Sequence, residues 1–491
     1  MKLNTKNLKQ FDSHIICPSY NRDKVKHGIV HIGVGGFHRA HLAYYTDRLL
    51  AKGESSQWGI CGAGLRPEDK AMKAALETQD YLYSIYELSE KENRSTRVIG
   101  SISDLILASD DIDRLIAKLT SPDIKIVSLT ITEGGYYTDD STGEFINDHP
   151  QIQHDLQNPS KPKTVFGLLT LALANRREMG IAPFTVLSCD NLPHNGQVAR
   201  NALLRFAERT DVSLSKWIAR NVSFPNSMVD RITPMTSETH RQQLLEQRGI
   251  EDVCPVVCEP FIQWVLEDSF CNGRPEWESV GVQFTKDVTP YEDMKIRLLN
   301  GSHLAMTYLG FSNGYRFVHQ TMQDPLILEY VRAFMDKDVS PLLSDAPGVD
   351  FSLYKNQLIE RFSNPIICDQ LSRTCSDGSS KFPKFVLPTL LDLISQGQPL
   401  HRVSLIIASW ANYLSGVDES GDIYSIPDPR AKELQKIITQ SSNAGKDFLG
   451  LYDIFGDVIP KNNHFVNIFN EQLLSLRQIG VHKTIEKTLA L

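Results

Sequence analysis

Four short runs in the first half of the chain are apolar almost from end to end: GIVHIGV (28–34), WGICGAG (58–64), IKIVSLTIT (124–132) and FTVLSCD (184–190). A strand with one wet face alternates polar and apolar residues, whereas a strand covered on both faces stays apolar throughout. Separated as they are by helical stretches, these runs predict a parallel sheet with helices on both sides. The pattern changes near residue 285. Beyond it PLILEYVRAFM, PTLLDLISQG, RVSLIIASWANYLSGV and NIFNEQLLSLRQIG carry helical periodicity, so the second half is expected to be mainly α-helical.

With 491 residues, 41% of them hydrophobic, the chain can bury a large core. Its net charge of -8 is spread without any basic block, which argues against a nucleic-acid footprint or an anionic-membrane patch. The start, MKLNTKNLKQFDSHIICPSY, has no apolar signal-peptide core, and no apolar run approaches the roughly 20 residues of a spanning helix. Eight cysteines are scattered with no CxxC pair, the pattern of reduced thiols. The expectation is a cytoplasmic protein that works on small molecules, with no nucleic-acid or membrane partner.

The first run leads into GIVHIGVGGFHRAH, residues 28–41, which resembles a dinucleotide-binding turn. Gly33 permits a tight turn and Gly35 lets backbone N–H groups approach a pyrophosphate, with the following helix N-terminus adding its dipole. The expected cofactor contacts are Gly33, Gly35, Gly36, Phe37, His38 and Arg39. His38 stands where a third small residue is usual, which puts close helix-to-strand packing in doubt. After the second run, GLRPEDK offers Glu68 and Asp69 to an adenosine ribose, favouring NAD over NADP, although Arg66 and Lys70 argue the other way. The fold class expected is therefore α/β: a Rossmann-type NAD-binding domain over residues 1–285 followed by a mainly helical domain over 286–491.

TPYEDMKIRLLNGSHLAMTYLG, residues 289–310, reads as one long helix. At about 100° per residue, with Lys295 at zero, Glu292 falls near 60°, His303 near 80° and Asn300 near 140°. Leu298, Leu304 and Tyr308 fill much of the remaining circumference, so the polar stripe is expected to line a cleft with apolar packing around it. Hydride transfer between a secondary alcohol and a nicotinamide needs a base for the hydroxyl proton and donors for the alkoxide-like oxygen. Lys295 suits the base if desolvation lowers its pKa, Asn300 suits the donor, and His303 suits a substrate hydroxyl. Tyr291 and Lys295 also form a Tyr-x-x-x-Lys pair, the base arrangement of short-chain dehydrogenases, but here it lies at the entry to a separate helical half. No His/Cys cluster has zinc-ligand spacing, and CxxxC at Cys254 and Cys258 is solitary. No metal is expected.

GVGGFHRAHLAYYTD, TITEGGYY, SCDNLPHNG, FPNSMVDRITP, the KxxxxNGxH core from Lys295 to His303, SDGSSKFPKF and IPDPRA together resemble the polyol-specific long-chain dehydrogenases. The resemblance runs from about residue 28 into the C-terminal third. It implies a monomeric, metal-independent enzyme that oxidises D-mannitol at C2 to D-fructose, reversibly, with NAD. By motif match Lys295 becomes the general base and Asn191 and Asn300 the donors to the reacting oxygen. Glu292 becomes a proton relay beside the lysine, and Asp230, His303, Arg373 and Lys381 become contacts to the remaining hydroxyls. Arg373 and Lys381 would equally suit a carboxylate, so a fructuronate- or tagaturonate-type sugar-acid reductase is the alternative. A non-catalytic dinucleotide-binding protein is a third reading, opposed by the presence of the base and both amides.

Overall fold

The four apolar runs become neighbouring strands of one sheet. In the computed structural model, which describes residues 1–53, 55–88, 95–139, 143–441 and 443–491, they are β1 (His27–Ile32), β2 (Gly59–Gly64), β4 (Ile126–Leu129) and β5 (Thr185–Ser188), joined by β3 (Ile102–Leu107). The order is β3-β2-β1-β4-β5 with every neighbouring pair parallel, the arrangement of a dinucleotide-binding sheet. The half-polar run ISDLIL of β3 fits its place at the edge.

Both faces of the sheet are covered, which is why the central strands need no polar alternation. Val30, Ile32, Val127, Leu129 and Val186 pack with Leu115, Phe166, Leu169 and Leu203 from the helices Ala108–Thr120, Val165–Glu178 and Asn195–Thr210. Ile29, Ile60, Leu105, Ile126 and Leu187 belong to a second core with Tyr45, Leu49, Trp264 and Trp277. Beyond β5 the strand β6 (Ser227–Asp230) runs antiparallel to Gln263–Glu267 in a separate three-stranded sheet.

The chain divides into two units, Met1–Thr289 and Pro290–Leu491. The second is helical, and its core gathers Leu298, Leu309, Tyr330, Phe334, Leu390, Ile406, Phe465 and Ile485 around the buried helix His401–Tyr413. Phe382 stacks on Trp410 with ring centroids 4.3 Å apart. Among the described residues no helix is long and apolar enough to cross a membrane.

One reading of the sequence needs correction. Residues 289–310 do not form a single α-helix: Thr289–Met294 is α-helical, Lys295–Asn300 is a π-helical turn, and Gly301–Ser312 resumes the α-helix. The Gly301 amide reaches back five residues to the Ile296 carbonyl. Angles projected at a constant pitch therefore fail beyond Lys295, because such a wide turn rotates everything after it.

Candidate active site

In the first unit the candidate groups lie where parallel strands end. Gly33 follows β1 with φ +96°, and a Cβ there would meet the Thr130 carbonyl oxygen at 2.1 Å, so the fold itself demands glycine. The Gly35 amide donates to the Gly33 carbonyl at 2.7 Å and is engaged inside the turn. The amides that open the short helix Gly36–Ala40 are those of Gly36, Phe37 and His38, which have no intrahelical acceptor. Among the described residues, and its chain neighbours aside, only the Gly33 carbonyl oxygen, at 4.0 Å, comes within 4 Å of a Cβ built on Gly35. This open, amide-edged turn fits a dinucleotide pyrophosphate.

His38 packs closely, against the expectation raised by its size. Its ring is 1% exposed and stacks on His31, with centroids 3.3 Å apart and planes 10° off parallel. Burial holds the His38 imidazole well below its ordinary pKa. Arg39 is buried too; its guanidinium donates to the Cys254 and Gly35 carbonyls and lies over the Tyr83 ring. Of His38 the backbone amide is what remains for a cofactor, whereas the Arg39 amide donates to the Gly35 carbonyl at 3.2 Å, so the expected Arg39 contact finds neither its amide nor its guanidinium unengaged. Phe37 is half-buried and stacks on His41 at 4.9 Å.

At the end of β2, Asp69 starts the helix Asp69–Glu77 and accepts the Arg66 backbone N–H at 2.9 Å. A Cβ on Gly64 would press on Asp69 at 2.7 Å, so this glycine lets the acid close over the strand end. Glu68 is exposed. The Arg66 guanidinium donates to the Ile131 carbonyl at 3.3 Å, which draws it toward the loop after β4.

That loop is clamped by Asp190, which follows β5. Its carboxylate accepts from the Ile131 and Thr132 amides at 3.0 and 2.9 Å and from the Tyr136 hydroxyl at 2.7 Å, while burial raises its pKa. Asn191 is the next residue and is exposed. Asn195, fully buried, donates to the Asp190 carbonyl at 3.0 Å and to the Ser227 carbonyl at 2.8 Å, and accepts the Ser227 amide at 2.9 Å. One amide thus ties the loop of Asn191 to β6, the strand that ends in buried Asp230. Arg231 pairs with Glu87 at 2.7 Å and donates to the Glu259 and Ala40 carbonyls. Sequence reasoning missed Asp190 and Asn195, although both stand inside the quoted motif SCDNLPHNG.

In the second unit Glu292 and Lys295 are buried, at 4% and 7% exposure. Because the wide turn closes over five residues, Asn300 lies one turn above Lys295, the place residue i+4 takes in an α-helix. Leu298, Leu304 and Tyr308 pack in the core. Tyr291 is buried, and its hydroxyl donates to the Pro347 carbonyl at 2.8 Å, a structural engagement at odds with the short-chain base role.

His303 packs against Phe362, with centroids 4.4 Å apart. Its Nε2 and the Asn300 Oδ1 are buried without a hydrogen-bond partner among the described residues. Burial lowers the imidazole pKa to about 4; Asp369 opposes that shift, while Arg373, Arg361 and Lys381 add to it. His303, Arg373 and Lys381 are therefore neighbours. Arg373 is held in a two-pronged ion pair with Asp369, at 2.7 and 2.5 Å. Lys381 Nζ donates to the Thr374 carbonyl and the Ser376 hydroxyl, each at 3.3 Å. Asp369 and Arg361 were not singled out from the sequence, though Asp369 and Arg373 have the i,i+4 spacing of a helical ion pair. Among the described residues no group of three or more His, Cys, Asp or Glu is placed to hold a metal ion.

Known proteins carry the same two-part plan. The family model of the mannitol dehydrogenase Rossmann domain matches residues 27–279, and that of the mannitol dehydrogenase C-terminal domain matches residues 287–477. A mannitol 2-dehydrogenase of Phaeosphaeria nodorum is 46% identical over 488 residues, covering 99% of this chain and 85% of that protein. One from Aspergillus fumigatus is 45% identical over 497 residues, 99% of each. Among solved structures, Pseudomonas fluorescens mannitol 2-dehydrogenase in ternary complex with NAD and D-mannitol is 57% identical, with a TM-score of 0.93 over all of both chains. A D-sorbitol dehydrogenase in substrate-free form is 37% identical with a TM-score of 0.89, covering 99% of this chain and 100% of that one.

Proposed function

Because the chain belongs to the mannitol dehydrogenase family, we propose that it oxidises D-mannitol at C2 to D-fructose, reversibly, with NAD and without a metal. The observation that carries this reading is the burial of Lys295 at the head of a wide turn that sets Asn300 above it. An amine takes a hydroxyl proton in its neutral form, and this one is held out of bulk water beside the donor. NAD, when bound, supplies the acceptor for the hydride leaving C2.

The chain's own groups divide the remaining work. Lys295 Nζ takes the proton of the C2 hydroxyl, and Glu292, one helical turn earlier, passes it on toward solvent. The side-chain amides of Asn191 and Asn300 donate to the oxygen as negative charge grows on it, an effect strongest away from bulk water. Asp230, His303, Arg373 and Lys381 read the other hydroxyls. His303, neutral above about pH 4, offers one donor and one acceptor, which suits an uncharged polyol. Phosphate-edge contacts fall to the turn at Gly33, Gly35 and Gly36 and to the amides of Phe37 and His38, and the ribose hydroxyls to Asp69 with Glu68 beside it. A carboxylate there repels a 2'-phosphate, which favours NAD over NADP.

The cations Arg361, Arg373 and Lys381 around His303 favour a second reading, reduction of a keto sugar acid. The ion pair from Asp369 to Arg373 offsets one of those charges, which tilts the balance to the neutral substrate. Turnover with mannitol plus NAD, set against fructuronate plus NADH in the same preparation, decides the matter. The polyol is expected to react at least about 100-fold more efficiently, some 3 kcal/mol of transition-state preference. Faster turnover of the acid would replace the first reading by the second.

A further inference from the structure

The departure of the glycine turn from the usual small-residue pattern leads to a pair of buried imidazoles whose role nothing above explains. His31 is wholly buried in β1 and one face of its ring stacks on His38. Its Nδ1 lies 2.8 Å from the Ser128 hydroxyl, and its Nε2 lies 3.0 Å from both the Gly33 carbonyl oxygen and the Thr130 hydroxyl. The Gly33 oxygen has no proton to give, so Nε2 must carry one; Nδ1 of the neutral ring then accepts from Ser128. Burial keeps the ring neutral, its pKa lowered to about 3.

The Gly33 carbonyl thus accepts from the Thr130 hydroxyl and the Gly35 amide, each at 2.7 Å, and shares the His31 Nε2–H with the Thr130 oxygen, both 3.0 Å away. A carbonyl held in this way cannot rotate, and its peptide plane fixes the direction in which the following glycines leave the strand. We propose that His31 and Thr130 are positioning residues for the dinucleotide. They lock the Gly33 peptide so that the turn is preformed for the cofactor, while His38, in place of a small residue, stacks on the His31 ring and fixes its plane. Neither imidazole touches the reacting atoms, and the inference rests on the proposed use of NAD.

The test is NADH affinity, read by fluorescence transfer from the intact protein, alongside kcat and the polyol KM at saturating NAD. His31→Phe keeps a stacking ring but removes the donor; His31→Gln keeps a donor near the Nε2 position but loses the ring. Loss of one buried donor to the turn is expected to weaken NADH binding about tenfold in His31→Phe, with His31→Gln restoring it to within about threefold. Thr130→Val, which removes the second donor and keeps the shape, is expected to weaken binding about threefold. In all three, kcat at saturating NAD and the polyol KM should stay within about twofold, a separation that general misfolding would not give. Wild-type NADH affinity in His31→Phe overturns the inference, as does a parallel fall of affinity and kcat in both His31 variants. Should His31→Phe not fold, Thr130→Val decides alone, unchanged affinity counting against the proposal. A wild-type protein that binds no NADH would overturn the cofactor reading itself and this inference with it.

Discussion

At the residue scale the two groups that compete for the role of base are told apart by what they touch. Tyr291 donates its hydroxyl hydrogen bond to the Pro347 carbonyl, so ionising it would break that bond. Lys295 carries the proposed chemistry, and Lys295→Ala is expected to cut turnover by about 1,000-fold or more while NADH binding survives. Tyr291→Phe should leave turnover within about threefold. A lethal Tyr291→Phe beside an active Lys295→Ala would invert the assignment, and steady-state rates with a binding titration are enough to see it. His303 has a second signature, in stability. Its folded pKa of about 4 lies below the ordinary 6.5, so the unfolded chain binds a proton there before the folded one does. The stability that neutral His303 confers is complete above pH 6.5 and is lost as pH falls through 4. At pH 5 the loss is about 2 kcal/mol. His303→Gln lacks this term, so its destabilisation relative to wild type should be smaller by about that amount at pH 5 than at pH 7.5, measured by urea unfolding.

At the element scale, the decisive piece is the π-helical turn Lys295–Asn300. Wide turns of this kind arise where one extra residue is accommodated in an α-helix, and they cluster at functional positions. Inserting one alanine after Ile296 should rotate Asn300 and His303 by about 100° from the line of Lys295. Turnover is expected to fall by more than about 100-fold with helical content retained by circular dichroism. Activity close to wild type in that insertion would mean that the alignment across the wide turn is incidental. Strand ends play the matching part in the first unit: Asp190 and Asn195 brace the loops after β4 and β5 and the strand β6, so that Asn191 and Asp230 sit on rigid supports.

At the scale of the whole molecule, the parts legible in the sequence are those governed by local rules. The sheet could be read because Val30, Val127 and Val186 leave no polar face, and the glycine turn because only glycine tolerates the backbone of Gly33. The break at Lys295 could not be read, since a helix with bonds five residues apart has no composition of its own and depends on packing from Leu298 and its neighbours. The His31–His38 stack was hidden for a similar reason: the sequence shows a bulky residue where a small one is usual, but not the partner waiting seven positions earlier. Asp369 stayed unnoticed because its value lies in holding Arg373, and a supporting residue announces no chemistry.

The change of pitch at Asn300 also has an evolutionary side. Like two shafts joined by a coupling, the stretch bearing Lys295 and the stretch bearing His303 keep separate phases. On the proposed roles, mutations that repack Gly301–Ser312 can retune which sugar is accepted without turning the amine away from its hydrogen. On those roles, one helix can carry a fixed oxidation chemistry at its head and an adjustable sugar contact beyond the wide turn.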